Sequence, residues 1–129
     1  MIQSNAFDYI NVMTKAADAS YLRETAINNN IANVDTPNYK RQDVEFSSVL
    51  ESELKNTKNS NLTEAVHNVD LDDLDAEEYT DEAGYSYRQD GNNVDIDTEN
   101  VELASEQIRY QALTSSMTMD FTRLKSVIK

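Results

Sequence analysis

Residues 4–31, SNAFDYINVMTKAADASYLRETAINNNI, contain neither glycine nor proline and predict one long helix. Apolar side chains recur there in alternating steps of four and three, the heptad spacing of a helix that packs along another helix. They are Ala6, Ile10, Met13, Ala17, Ile27 and Ile31, with Ser20 and Glu24 filling the gap. Ser4 or Asn5 is expected to cap the start, and Asp8 suits the positive end of the helix dipole. Such a helix needs a partner, because packing rather than propensity holds long helices in water.

A second long helix is predicted from about Thr98 to Ile128, again without glycine or proline, with acidic residues first and basic residues last. Its apolar residues form two stripes. The first stripe is Val101, Ala104, Ile108, Ala112 and Met119; the second stripe is Leu103, Tyr110, Leu113, Met117, Phe121, Leu124 and Ile128. So wide an apolar face indicates more than one neighbour, although a core helix of a compact bundle shows the same pattern.

Between these helices the sequence predicts a turn and a short helix. Thr36-Pro37-Asn38-Tyr39 has proline at the second position and, at the third, an asparagine that tolerates positive φ. After it, Phe46, Val49, Leu50 and Leu54 are spaced as the apolar face of a short helix, with Asp43 as a candidate cap.

The middle of the chain is strongly acidic. Residues 59–87 carry nine Asp and Glu and no Lys or Arg. Such a composition buries too little apolar surface to offset the entropy of ordering, so a solvated, irregular segment is expected. A small hairpin is predicted around Asp90-Gly91, with Tyr85 and Tyr87 before the turn and Val94 and Ile96 after it.

Composition excludes several classes of function. A net charge of −13 opposes binding to nucleic acid or to an anionic membrane, since both require clustered Lys and Arg. The absence of cysteine excludes disulfides, thiol nucleophiles and zinc ribbons. With no apolar run long enough for a membrane span and no cleavable signal, the default expectation is a cytoplasmic protein.

Catalytic and metal-binding patterns are weak. Two glycines cannot build a phosphate-binding loop, and the single histidine, His67, lies in polar sequence and is interpreted as a solvated side chain. The acidic run fails as an EF-hand loop, because Asp75 stands where glycine is required when counting from Asp70. We therefore expect no enzyme activity, no cofactor and no metal.

The segment Asn29-Asn30-Ile31-Ala32-Asn33, followed by Thr36-Pro37-Asn38-Tyr39, resembles the signature of bacterial flagellar axial proteins, the rod and hook family. The chain departs from that signature at Asn38, where the family most often has glycine; asparagine best preserves a left-handed turn. Residues 90–97, 102–104 and 108–112 resemble a proximal rod member in particular.

The resemblance implies a mainly α-helical rod subunit whose terminal helices form an antiparallel coiled coil. Together with the residue patterns above, four segments are expected: residues 1–33 and 98–129 as the coiled-coil helices, 34–58 as the turn and short helix, and 59–97 as a flexible acidic connector with a possible hairpin. Implied partners are further copies of the chain, other rod subunits, the basal-body adaptor protein and components of the membrane ring and export gate. Export through the flagellar type III apparatus, without a cleaved signal, would replace the cytoplasmic default.

The residues expected to make assembly contacts come from both helices and the turn. They are Ile10, Met13, Ala17, Ile27, Ile31, Asn33, Thr36, Pro37 and Tyr39, with Ile108, Tyr110, Leu113, Met117, Phe121 and Leu124 opposite. Rival interpretations are another rod protein of the family, a soluble helical adaptor or secretion chaperone, and a cell-wall lytic or calcium-dependent protein.

Overall fold

The computed structural model describes residues 5–82 and 88–128, and this part of the chain is mainly helical. In chain order it forms α1 (Asp8–Ala32), β1 (Gln42–Glu45), α2 (Ser47–Asn56), α3 (Leu62–Asn68), β2 (Glu77–Thr80) and α4 (Ile96–Val127). The predicted long helices at both ends are confirmed. With a rise of about 1.5 Å per residue, α1 is about 37 Å long and α4 about 48 Å.

Helix α1 begins later than predicted. Phe7 occupies the N-cap position without a side-chain hydrogen bond, so the expected cap by Asn5 is wrong, and Ser4 lies outside the described residues. Asp8 does lie in the first turn. The helix ends at Ala32, and the N–H of the capping residue Asn33 donates to the carbonyls of Asn29 and Asn30, as the asparagine-rich sequence before Pro37 indicates.

The predicted turn is confirmed. Asn38 has φ of +61°, and the Tyr39 N–H donates to the Thr36 carbonyl over 3.3 Å. The loop of residues 90–94 encloses this turn: the Asn92 side-chain amide contacts the carbonyls of Asn33, Val34 and Thr36 at 2.9 to 3.0 Å. The two sequence motifs that resemble the rod family therefore form one structural unit.

The strands pair differently from the prediction. β1 and β2 form an antiparallel two-stranded sheet in which Asp43 pairs with Tyr79 and Val44 with Glu78. Tyr85 and Tyr87 of the predicted hairpin lie outside the described residues, and its second arm is wrong, because Val94 is in no strand and Ile96 begins α4. Asp43 lies in β1, so it does not cap α2 as predicted; the Glu45 carboxylate accepts from the Ser48 N–H instead.

The acidic segment is more ordered than its composition predicts. It contains α3, capped by the Asn61 side chain, and β2. Ala65, Val66, Val69 and Leu74 are buried, so a few apolar residues attach this acidic stretch to the body of the protein. Composition averages over the segment and hides these four positions.

Helix α4 packs along α1, and their contacts fall in opposite chain order. Thr14 contacts Met117, Ser20 contacts Glu106 and Asn30 contacts Glu99. The start of α4 is capped by the Asp95 side chain, which accepts from the Asp97 and Thr98 N–H groups. Within the described chain, the only fully buried residues of α4 are Glu99 and Glu106, so the most enclosed positions facing α1 are carboxylates, with half-buried apolar residues beside them.

Candidate assembly interface

Two arginines hold α1, β1 and α4 together through carboxylates. Arg23 of α1 contacts Asp43, Glu102 and Glu106, each at 2.8 Å. Arg41, just before β1, contacts Glu99 at 2.7 Å and Asp81 at 2.8 Å, and reaches Asp43 at 3.2 Å. We call these seven residues the arginine cluster. Because a guanidinium presents its donors in a rigid fork, each arginine fixes several carboxylates at once.

Two uncharged side chains complete the cluster. The Ser20 hydroxyl donates to Glu106, and the Asn30 amide donates to Glu99 and to the Gln42 carbonyl. Asn30 has no exposed surface and also accepts from the Gln42 N–H and the Tyr39 hydroxyl. In the described chain no buried side-chain polar atom lacks a partner. The network therefore meets the condition under which buried charges are tolerated.

The contacts of the cluster favour the charged forms of Arg23, Arg41 and Asp43. The hydrogen bond that Arg23 donates to Asp43 raises the pKa of Arg23 above its ordinary value. Burial alone would raise the pKa of Asp43, but hydrogen bonds from Arg23 and from the Val44 N–H, with both arginine charges, bring it below the ordinary value. Burial opposes the charge of Arg41 too, yet Glu99 and Asp81 raise its pKa overall.

The predicted contact residues of α1 lie mostly inside the molecule. Ile10, Ala17 and Ile27 are buried, whereas Met13 and Ile31 are half-buried. The seam of α1 thus faces the rest of the molecule at three positions, whereas Ala6 at its start is exposed. Within the chain, α1 contacts mainly α4 and β1.

The predicted contact residues of α4 fall on two different sides of the helix. Tyr110, Leu113, Met117 and Leu124 are half-buried on the α1 side, and the Tyr110 ring lies 6.4 Å from that of Tyr21. Ile108 was grouped with this set, but it is 68% exposed. Phe121 is also exposed and lies beside Phe7 at the end of the helix pair.

The first stripe is exposed along its whole length, with Val101 at 69% and Ile108 at 68%. Residues two apart on a helix point about 200° apart, so Val101 and Ile108 lie opposite the buried Glu99 and Glu106. Between Val101 and Met119 the exposed side chains within about 60° of the stripe also lack charge. These uncharged residues are Val101, Ala104, Ser105, Ile108, Ala112, Ser115 and Met119. In a chain with 27% charged residues, depletion of charge along about 27 Å of helix is typical of an interface.

The turn residues make internal contacts. Asn33 and Thr36 are hydrogen-bonded to each other through their side chains at 3.1 Å, and the Tyr39 hydroxyl donates to Asn30. Thr36 and Pro37 remain exposed, whereas Asn33 and Tyr39 are half-buried. Of these four residues, Thr36 and Pro37 present the most surface to a neighbour.

Two features bear on chemistry other than packing: the single histidine and the grouping of potential metal ligands. His67 is half exposed and its Nδ1 lies 2.7 Å from Asp8, which joins α3 to the start of α1. Over residues 5–82 and 88–128 no three His, Cys, Asp or Glu side chains converge in a way that could hold a metal ion. A membrane-spanning helix is likewise absent from that part of the chain.

A weak signal for the arginine cluster is present in the sequence, although periodicity alone does not resolve it. Ser20 interrupts the seam of α1, and Glu99 and Glu106 occupy positions in line with the second stripe of α4. Polar residues at facing positions of two apolar seams predict a buried polar layer. The participation of Arg41 and Asp81 depends on the chain path between the helices, for which no local pattern exists.

No protein-family model matches the chain. Flagellar basal body rod proteins FlgB match it over most of its length. The protein of Bacillus subtilis strain 168 is 40% identical over 121 residues, covering 90% of this chain and 89% of the relative. That of Borrelia hermsii is 38% identical over 120 residues, covering 87% and 89%, and that of Escherichia coli K12 is 27% identical over 114 residues, covering 83% of each. This chain belongs to the FlgB family of flagellar basal body rod proteins, the structural subunits of the proximal rod.

Proposed function

We propose that this rod subunit polymerises through the first stripe of α4, which serves as its main lateral contact and lets stiff, packed helices transmit torque. The observation that carries the proposal is the exposure of Val101 and Ile108 on an uncharged helix face. Burying apolar surface stabilises by roughly 25 cal/mol per Å², so this face gains free energy only when a neighbour covers it. The role is structural and needs no catalytic residue.

The same proposal includes an antiparallel coiled coil of α1 and α4 as the unit of assembly. Heptad spacing on α1 and the opposite chain order of the Thr14–Met117 and Asn30–Glu99 contacts support it. The predicted segments follow: residues 1–33 and 98–129 as the assembly helices, with 34–58 and 59–97 between them. Lateral neighbours would then cover the first stripe, and neighbours along the rod would meet Phe121 and the exposed Thr36 and Pro37.

Proposed partners are further copies of this chain, other rod subunits, the basal-body adaptor protein and components of the membrane ring and export gate. Family membership supports these partners and the flagellar type III export route, by which the chain would cross the inner membrane without a cleaved signal. A net charge of −13 opposes nucleic acid or anionic lipid as a direct partner.

The test places a carboxylate on the stripe. Val101→Asp and Ile108→Asp change exposed positions, so the free energy of unfolding of each purified variant should change by no more than about 0.5 kcal/mol. Each variant, as the only copy in the cell, should be missing from isolated basal bodies and abolish swimming, because assembly would bury an unpaired charge.

The control is Asn100→Asp, which adds the same charge one residue from Val101 but about 100° away around the helix. It should enter basal bodies at wild-type amounts. Normal incorporation of both stripe variants would contradict the proposal, because the chain would then assemble into the rod through another surface.

A further inference from the structure

A groove of about 560 Å³ separates α2 from the α1–α4 pair. Its floor is made by the small side chains of Ala16 and Ala19, and its walls carry Leu50 and Leu54 of α2 and Leu113 of α4. No residue of α2 is buried, so this short helix stands away from the floor. Small residues on the floor leave room for side chains of another helix to enter between α2 and α1.

The charged groups at one end of the groove are engaged with one another. Arg23, Asp43 and Glu106 line it, and all three belong to the arginine cluster. Arg109 lies at the same end, 3.5 Å from Glu106. Glu45 and Glu51 also line the groove; Glu45 accepts from the Ser48 N–H, and Glu51 pairs with Lys55. The rest of the lining is mainly apolar and suits an uncharged, apolar helix face.

The chain presents such a face in the first stripe. Val101 and Ile108 are seven residues apart, about 10 Å along the axis, and Ala16 and Arg23 at the two ends of the groove floor are separated by the same distance. Within one molecule the two surfaces cannot meet, because Ile108 and Leu113 point about 140° apart on the same helix. Only a second molecule can bring stripe and groove together.

The net charge of the chain also favours the stripe of a second copy as the occupant of the groove. Two copies of a chain with a net charge of −13 repel each other most where carboxylates of both copies meet. The stripe carries no charge, so it can enter a groove lined by Glu45 and Glu51 without bringing like charges together. A basic partner would be drawn to the acidic residues 70–82 rather than to either surface.

We infer that the first stripe of one copy lies in the groove between α1 and α2 of the next copy. This contact is heterologous, since each copy uses two different surfaces, and such contacts generate rings or open helical arrays rather than closed pairs. The inference rests on the proposed assembly role of the stripe and names what covers it. Every interior copy would use both surfaces at once.

Disulfide trapping tests the contact cleanly, because the chain contains no cysteine. Differently tagged Ile108→Cys and Leu50→Cys chains would together replace the native protein in cells, and isolated basal bodies would be oxidised. A disulfide forms only where the two Cα atoms approach within about 7 Å. The mixed Ile108–Leu50 disulfide is therefore expected at about ten times the yield of the control pair. The control pairs Ile108→Cys with Ser52→Cys, an exposed position outside the groove lining, two residues from Leu50 and about 200° away around α2.

A dominant product between two Ile108→Cys chains would overturn the inference, because it would show a symmetric contact of stripe against stripe. A second pair, Val101→Cys with Leu54→Cys, tests the same contact at neighbouring positions. A mixed disulfide in neither pair overturns the inference. The proposed assembly role survives that result as long as Val101→Asp and Ile108→Asp chains are still missing from basal bodies.

Discussion

The arginine cluster predicts an unusually large loss of stability at one position, Arg23. Arg23→Met keeps the length of the side chain but removes every charge-assisted hydrogen bond to Asp43, Glu102 and Glu106. Asp43 would still have its ion pair with Arg41. Glu102, whose side chain is 37% exposed, would still be hydrated. Glu106, at 1%, would keep only Ser20 and Arg109. The loss therefore falls on one buried carboxylate.

Removing one partner of a buried ion pair costs roughly 3–5 kcal/mol, because the remaining charge is desolvated without compensation. We expect a loss of that size in the free energy of unfolding of the purified chain. Urea titration followed by far-UV circular dichroism measures it. Arg123→Met is the matched control: Arg123 is 76% exposed and contacts Asp120 at 3.3 Å, so its loss should stay within about 1 kcal/mol.

A double variant separates the charge from the packing. Arg23→Met together with Glu106→Leu replaces both charges by apolar groups of similar size, and should recover most of the loss, since well-packed apolar replacements of buried ion pairs are often neutral. A loss in Arg23→Met no larger than in Arg123→Met would refute the reasoning. Failure of the double variant to recover would show that Glu106 is not the residue that carries the cost.

Three further changes test other parts of the fold. Acid should destabilise the chain: because the pKa of Asp43 is lowered in the folded state, its contribution is complete above about pH 4 and is lost as the pH falls below that, so Asp43→Asn should flatten the acid limb of a stability–pH curve. Gly91→Ala should cost more than about 1 kcal/mol, since Gly91 has φ of +76° and a Cβ there would lie 2.7 Å from the Asn38 Oδ1; adding Asn38→Gly should recover part of that loss in the same urea titration. Leu74→Ala should cost about 2–5 kcal/mol, because Leu74 is 1% exposed, and a loss below about 0.5 kcal/mol would mean that the acidic segment is not attached to the core.

Features encoded by neighbouring residues could be predicted from the sequence. Both long helices follow from heptad spacing and the absence of glycine and proline, and the positive φ of Asn38 follows from its place in the turn. The two stripes of α4 were also predictable, because helical geometry alone separates them. The family followed from the same turn motif and from residues 90–97.

Features that depend on distant residues could not be predicted. β1 pairs with β2 over about 35 residues, and the strand sequences QDVE and EEYT have no alternating pattern that indicates pairing. Arg23 and Glu106 are 83 residues apart, and on a helix of unknown partner each is most simply interpreted as solvated. Ile108 was assigned to the α1 side for the same reason: periodicity defines faces of a helix but not which face meets which neighbour.

The arrangement of α4 connects stability to assembly. Glu99 and Glu106 point inward and Val101 and Ile108 outward, the reverse of an ordinary amphipathic surface helix. Apolar seams of small residues permit helices to slide past one another, whereas moving α4 by one heptad would place Leu113 where Glu106 now meets Arg23 and Ser20. The arginine cluster thus allows one register, and holds it without using the first stripe. An apolar face that is not needed to hold the subunit together stays available for neighbours, and its position is fixed by the same contacts that bury the charges.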